Sequence, residues 1–151
     1  MEIKLEVAND HEYSISDNLS KIVEETLEFI SFQDNTIISF AFIDEDEIST
    51  IYNEYFGYAQ STDVLSFNSN TIDPETGFLI LGEILICYPF VEIQANNLKN
   101  SIDSEISLLI VHGLLHLLGY DHIDDSMKNE MWTLQTEILK KLNISINSIP
   151  E

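Results

Sequence analysis

Apolar and polar residues alternate from Ile3 to Val7, the period-two pattern of a strand with one buried face. From Ser16, read as an N-cap, Leu19, Ile22, Val23, Leu27 and Ile30 recur at helical spacing and form one apolar stripe. Thr36 to Ile43 is almost wholly apolar, rich in branched and aromatic side chains, and predicts a strand covered on both faces. The acidic run Asp44-Glu45-Asp46-Glu47 follows. Carboxylates there cap free amides and face the positive end of a helix dipole, so the run is read as a helix start rather than a cation site, with the helix reaching about Tyr55.

Phe56 to Ser61 reads as a turn, Val64 to Phe67 as a short strand, and Asn68 to Gly77 as a solvent loop. Phe78 to Cys87 is a second strongly apolar strand, and Gly82-Glu83 within it marks a bulge or a close backbone approach. A helix is expected after Pro89, then a polar break from Asn96 to Ser104. Glu105 to Leu118 is apolar almost all round, which predicts a helix buried in the core. Asp124-Asp125-Ser126 opens a last helix whose Met127, Met131, Leu134, Ile138 and Leu142 make one stripe. The pattern predicts an α+β layered fold: a small mixed sheet of about four strands with about five helices, in a single domain over the 151 residues.

Composition narrows the function. The chain carries 27 acids, 6 lysines and no arginine, a formal charge of −21, which excludes a generic basic nucleic-acid binder. The charge is uneven: 17 acids and 2 lysines precede residue 76, while 10 acids and 4 lysines follow, so an anionic substrate is expected to dock on the second half. No apolar run is long enough for a membrane span, the first residues lack the basic and apolar regions of a signal peptide, and one cysteine cannot form an internal disulfide. A cytoplasmic protein is expected. Cys87, in an apolar strand, reads as a small hydrophobe rather than a nucleophile. Phe40, Phe42, Phe67 and Phe78 read as core, and the segment Tyr55 to Tyr58 stays open between core and base stacking.

The chemistry concentrates in His112-Gly-Leu-Leu-His116-Leu-Leu-Gly119-Tyr-Asp121-His122. Helical positions i and i+4 lie about 6 Å apart on one face, so His112 and His116 can converge on one ion. Gly119 can take positive φ, stop the helix and turn His122 back to the same point. Two imidazoles on an otherwise oily helix are costly unless something pairs with them. Three imidazoles suit zinc with water in the fourth position. Asp121 is open between fixing an imidazole tautomer and shaping the turn. The spacing is also that of metzincin peptidases, whose general-base glutamate follows the first histidine, but here that residue is Gly113.

The whole run resembles the signature of the YbeY family, bacterial metal-dependent endoribonucleases of ribosomal RNA maturation. Thr62-Asp63-Val64-Leu65-Ser66-Phe67 is similar to that family's T-D-V-L-S-F strand, and Leu81-Gly82-Glu83-Ile84, Ile86-Cys87 and Gln94-Ala95 to its L-G-[DE]-I, I-C and Q-A segment. The resemblance implies His112, His116 and His122 as ligands of one Zn2+, and a single-strand-specific endoribonuclease whose substrate is ribosomal RNA. Asp63 and Asp121, in or beside the matched motifs, are the candidate partners in proton transfer. Two departures stand out. Gly57 follows Phe56 where the family typically carries an arginine, and the stretch Asn53 to Thr62 is one residue shorter, with Ser61 in place of a usual proline. A guanidinium is the natural phosphate clamp, which Tyr58, Gln60 or Lys99 can replace only in part. Two other readings are a peptidase or similar metallohydrolase, and a non-catalytic, zinc-stabilised assembly factor of the small ribosomal subunit. With so few lysines, weak affinity for naked RNA is expected, with delivery by a small-subunit particle or a basic ribosomal protein.

Overall fold

The computed structural model describes residues 1–146. The elements run β1 (Ile3–Ala8), α1 (Leu19–Phe29), β2 (Thr36–Ile43), α2 (Glu45–Phe56), β3 (Val64–Ile72), β4 (Leu79–Cys87), α3 (Tyr88–Leu98), α4 (Ile102–Leu117) and α5 (Asp125–Lys141). The sheet order is β1-β2-β4-β3. β1, β2 and β4 are mutually parallel along this order, and β3 pairs antiparallel with β4 at the edge. Among the described residues this is the mixed four-stranded sheet with five helices, an α+β fold, that the pattern predicts.

Each face of the sheet has its own apolar layer. Ile38, Phe40, Phe42, Ile84 and Ile86 pack with α1, α4 and α5 on one side, while Ile43, Leu85 and Cys87 meet Ile48 of α2 on the other. β2 is thus covered on both faces, as its unbroken apolar run requires. Phe40 and Phe42 are core, Phe67 is half-buried against the α2 layer, and Phe78 is half-buried. Cys87 is a free, fully buried thiol whose pKa burial pushes up, so it is inert filler. α4 is buried on nearly every side, and among the described residues no helix is long and apolar enough to cross a membrane.

The acidic run caps α2 as expected. Asp44 accepts from the Glu47 amide while the Glu47 carboxylate accepts from the Asp44 amide, and His11 pairs with both carboxylates.

Three boundaries differ from the sequence reading, each for a physical reason. The residue flanking α1 is Asn18, without a side-chain cap; Ser16 instead accepts from the Asn18 amide within the preceding turn. Asn68 to Gly77 is not all loop, because β3 continues to Ile72. Those residues are exposed and polar, yet their backbone pairs with Leu79 to Gly82, so an edge strand carries a loop-like composition. The break at Asn96 to Ser104 shrinks as α3 runs to Leu98 and α4 begins at Ile102, where the Ser101 hydroxyl accepts from the Ser104 amide.

Gly82 sets the spacing between sheet and α4. Pairing slips on both sides of it: Leu81 is the extra residue against β2, and Ser69-Asn70 stand opposite Leu81 in β3. A Cβ at Gly82 would lie 2.3 Å from the Phe67 carbonyl oxygen and 2.8 Å from Leu117 Cδ2. The neighbouring Asn68 amide donates to the Leu117 carbonyl (3.1 Å), tying the last turn of α4 to the edge strand. At Gly113 a Cβ would lie 3.0 Å from Ile84 and 3.1 Å from Ser66 Oγ, so α4 rests against β4 and β3 almost backbone-close.

Candidate metal centre

α4 carries His112 and His116 one turn apart and ends in a Schellman turn. Gly119, at φ +99°, donates to the His116 carbonyl, and Tyr120 donates to that of Leu115, both at 3.0 Å. The chain then doubles back. The Asp121 carboxylate accepts from the His122 amide (2.8 Å), and the His122 ring arrives 5.1 Å from His116 and 5.9 Å from His112, centroid to centroid. One ligand nitrogen from each of the three histidines lies within 4.8 Å of the other two.

Protonation at this cluster is directed. Gln135 Oε1 can only accept, so His112 Nδ1 carries the hydrogen that it donates to that oxygen at 2.9 Å. A neutral His112 then presents a bare Nε2, which faces His116 Nε2 at 3.1 Å. Two ring nitrogens 3.1 Å apart in a half-buried site can share one proton or bind one cation, and with His122 beside them the three borderline nitrogen donors are a set that zinc accepts. The donor set therefore fits a zinc ion. Burial, then the charge His116 would carry, depress the pKa of His112 to about 4, and burial also lowers that of His116. Trp132 of α5 stands edge-to-face against His112 (5.6 Å) and His122 (5.5 Å), walling the cluster from one side.

The cluster opens into a cleft of about 820 Å³ lined also by Phe56, Asp63, Ser66, Asn68 and Asp121. Asp63, half-buried at the start of β3, has its pKa raised by burial, opposed by hydrogen bonds from its own and the Val64 amides and from Gln94. Asp121 lines the cleft, but its hydrogen bond goes to the turn, which favours the turn-shaping option. Tyr58, Gln60 and Lys99 are not among the described residues that line the cleft. Gly57 itself is the left-handed C-cap of α2, at φ +83°.

Gln135 and Trp132 escape a reading by type. Gln135 was visible all the same, because it stands four residues after Met131 and three before Ile138, on the stripe that α5 buries, and is 1% exposed.

The lowered pKa of His112 has a sign. The unfolded chain protonates this imidazole near its ordinary 6.5, the folded chain near 4, so the unfolded state holds more protons between these values. The group's contribution is complete above pH 6.5 and lost as pH falls towards 4. Chemical denaturation of metal-free protein should show a loss on the order of 2 kcal/mol across this window. His112→Gln should flatten it.

A metal-site candidate in a cleft of a mixed α+β sheet defines the class of protein, and comparison with known proteins defines the family. A family model described as Endoribonuclease YbeY matches residues 3–143. Proteins named Endoribonuclease YbeY from Staphylococcus aureus strains JH9 and Newman are each 35% identical over 147 residues, covering 91% of this chain and 95% of the relative. The chain belongs to the YbeY endoribonuclease family. The solution structure of a Thermotoga maritima protein shares the fold, with a TM-score of 0.59 and 24% identity over 93% of this chain and 91% of that one.

Proposed function

We propose that the protein is a zinc-dependent, single-strand-specific endoribonuclease that acts in the cytoplasm in ribosomal RNA processing and small-subunit maturation. The observation that carries this reading is the convergence of His112, His116 and His122 at the floor of an open cleft, in a chain whose relatives are named endoribonucleases. Bound there, zinc supplies a Lewis acid for a phosphodiester oxygen and brings the pKa of a coordinated water towards ~7.

The chain's own residues do the rest. Gln135 holds His112 in the tautomer that offers Nε2, and the turn at Gly119 and Asp121 holds His122 in place. Asp63 carries the proton that the reaction moves, its carboxyl kept partly desolvated at the cleft wall. Substrate is delivered by a small-subunit particle or ribosomal protein, since a charge of −21 repels free RNA at long range.

The peptidase reading lacks its base for a structural reason. Gly113 holds the position of the missing glutamate, where even a Cβ would press on Ile84 (3.0 Å) and Ser66 Oγ (3.1 Å). Incubating one preparation with ribosomal RNA, with small-subunit particles and with casein, with and without chelator, tests the assignment. Chelator-sensitive RNA cleavage and intact casein are expected. Metal retention without RNA cleavage would favour the assembly-factor reading, and chelator-sensitive proteolysis would overturn both.

A further inference from the structure

The end of α2 presents a concentration of aromatic surface that the metal centre does not use. Tyr55 is 65%, Phe56 53% and Tyr58 56% exposed, three large rings within four residues. They are braced rather than loose. Tyr52 lies against Phe56 (4.5 Å between centroids) and Tyr58 (5.5 Å), its hydroxyl 3.3 Å from that of Tyr58, and Tyr55 leans on Phe67 at 4.4 Å. The fold-back of Tyr58 onto Tyr52 depends on Gly57, whose φ of +83° ends the helix and reverses the chain. Phe56 also lines the cleft that holds the three histidines, so the aromatic surface meets the metal centre at this ring, while Tyr55 lines a neighbouring pocket with Glu54, Phe67 and Glu83.

We infer that Tyr55, Phe56 and Tyr58 form a ledge on which unpaired bases stack as a single strand enters the cleft. The inference rests on the endoribonuclease reading and names how that site engages its substrate. Charge favours bases over phosphates here. No lysine lies between Lys21 and Lys99, the chain has no arginine, and the helix presents its negative end at Gly57. A nucleotide's neutral face is what such a surface can hold, at about 1–3 kcal/mol per stacked base and with little sequence preference. Position, not charge, sets the strand apart from a basic peptide: Glu54, Glu83 and the negative end of α2 would attract a cationic chain, but Phe56 borders the cleft that holds the histidine cluster. Stacking on the ledge orients the strand so that its backbone crosses the histidine cluster, and a base already paired in a duplex offers no free face for it.

Binding of a 12-mer oligodeoxythymidylate and of an all-abasic 12-mer to the zinc-loaded protein tests this by fluorescence anisotropy. The two probes share phosphates and differ in bases, and neither offers an RNA linkage to cut. The wild type should bind the base-bearing strand roughly tenfold more tightly. That preference should vanish in Tyr55→Ala/Tyr58→Ala, persist in Tyr55→Phe/Tyr58→Phe, and fall in part in Tyr58→Ala alone, whose ring lies beyond the helix end. RNA cleavage by the double alanine variant should show a raised KM. Equal binding of the two oligomers by the wild type overturns the ledge even if RNA cleavage is intact. Hexa-arginine binding that depends on the same rings, without any base preference, overturns it in favour of a basic protein partner. Base-dependent binding in a protein that cuts no RNA supports the ledge and contradicts the nuclease reading alone.

Discussion

His116→Ala is expected to lower zinc affinity more than about 100-fold and to take RNA cleavage below detection, while the metal-free variant still folds. The two other imidazoles cannot enclose an ion alone, because His112 and His116 face each other across 3.1 Å and His122 completes the cluster from outside the helix. Losing a supporting acceptor typically costs 10–100-fold in affinity, and losing a direct ligand costs more. Folding should survive because His116 is only half-buried, at the cleft face of α4, and alanine is a strong helix former. Gln135→Leu is the informative companion. It keeps volume but leaves His112 Nδ1–H without its acceptor, and should reduce zinc affinity roughly 10–100-fold. Trp132, the one tryptophan, sits against two of the histidines and should report zinc titrations by its fluorescence.

Gly82→Ala should be the most damaging small substitution for stability. The new methyl meets a backbone oxygen at 2.3 Å, and that oxygen belongs to Phe67, whose strand is paired with β4 at this point. Relief requires moving β3 or the end of α4, and Asn68 couples the two. Overpacking against a rigid backbone costs on the order of 3 kcal/mol, which corresponds to a Tm lower by roughly 6–12 °C in a chain of this size. Zinc affinity should fall with it, since the displaced turn carries His116. Gly77→Ala is the control: its φ of +75° disfavours alanine, yet nothing stands within 4 Å of the added methyl, so about 1 kcal/mol is expected. Calorimetry on the two variants separates a steric from a conformational cost.

How far the sequence foretold this arrangement depended on whether the signal was local. Strands β1, β2 and β4 and the stripes of α1 and α5 announce themselves by period, because each buries a face. The histidine cluster was legible for the same reason: a one-turn spacing followed by a helix-stopping glycine is local geometry written in residue types. The second half of β3 was hidden because an exposed edge strand is held by its backbone ladder, which leaves no mark on side-chain choice. Asp63 could be suspected from its motif, but the burial that raises its pKa arises from chain segments distant in sequence. The burial of Gln135 is legible from the stripe of α5, but its contact with His112, like that of Trp132, arises only from the packing of α5 on α4. Gly113 shows the converse: an absence in a motif became a positive structural fact once the helix was seen to rest on Ile84 and Ser66.

X-ray absorption at the zinc edge of protein purified without added metal is the most direct test of the central claim. The account predicts one zinc per chain with three imidazole nitrogens at about 2.0–2.1 Å and a single exchangeable oxygen that a small anion or hydroxamate replaces. A closed shell with a fourth protein ligand, the Asp121 carboxylate above all, or a zinc that persists unchanged in His116→Ala, would contradict it.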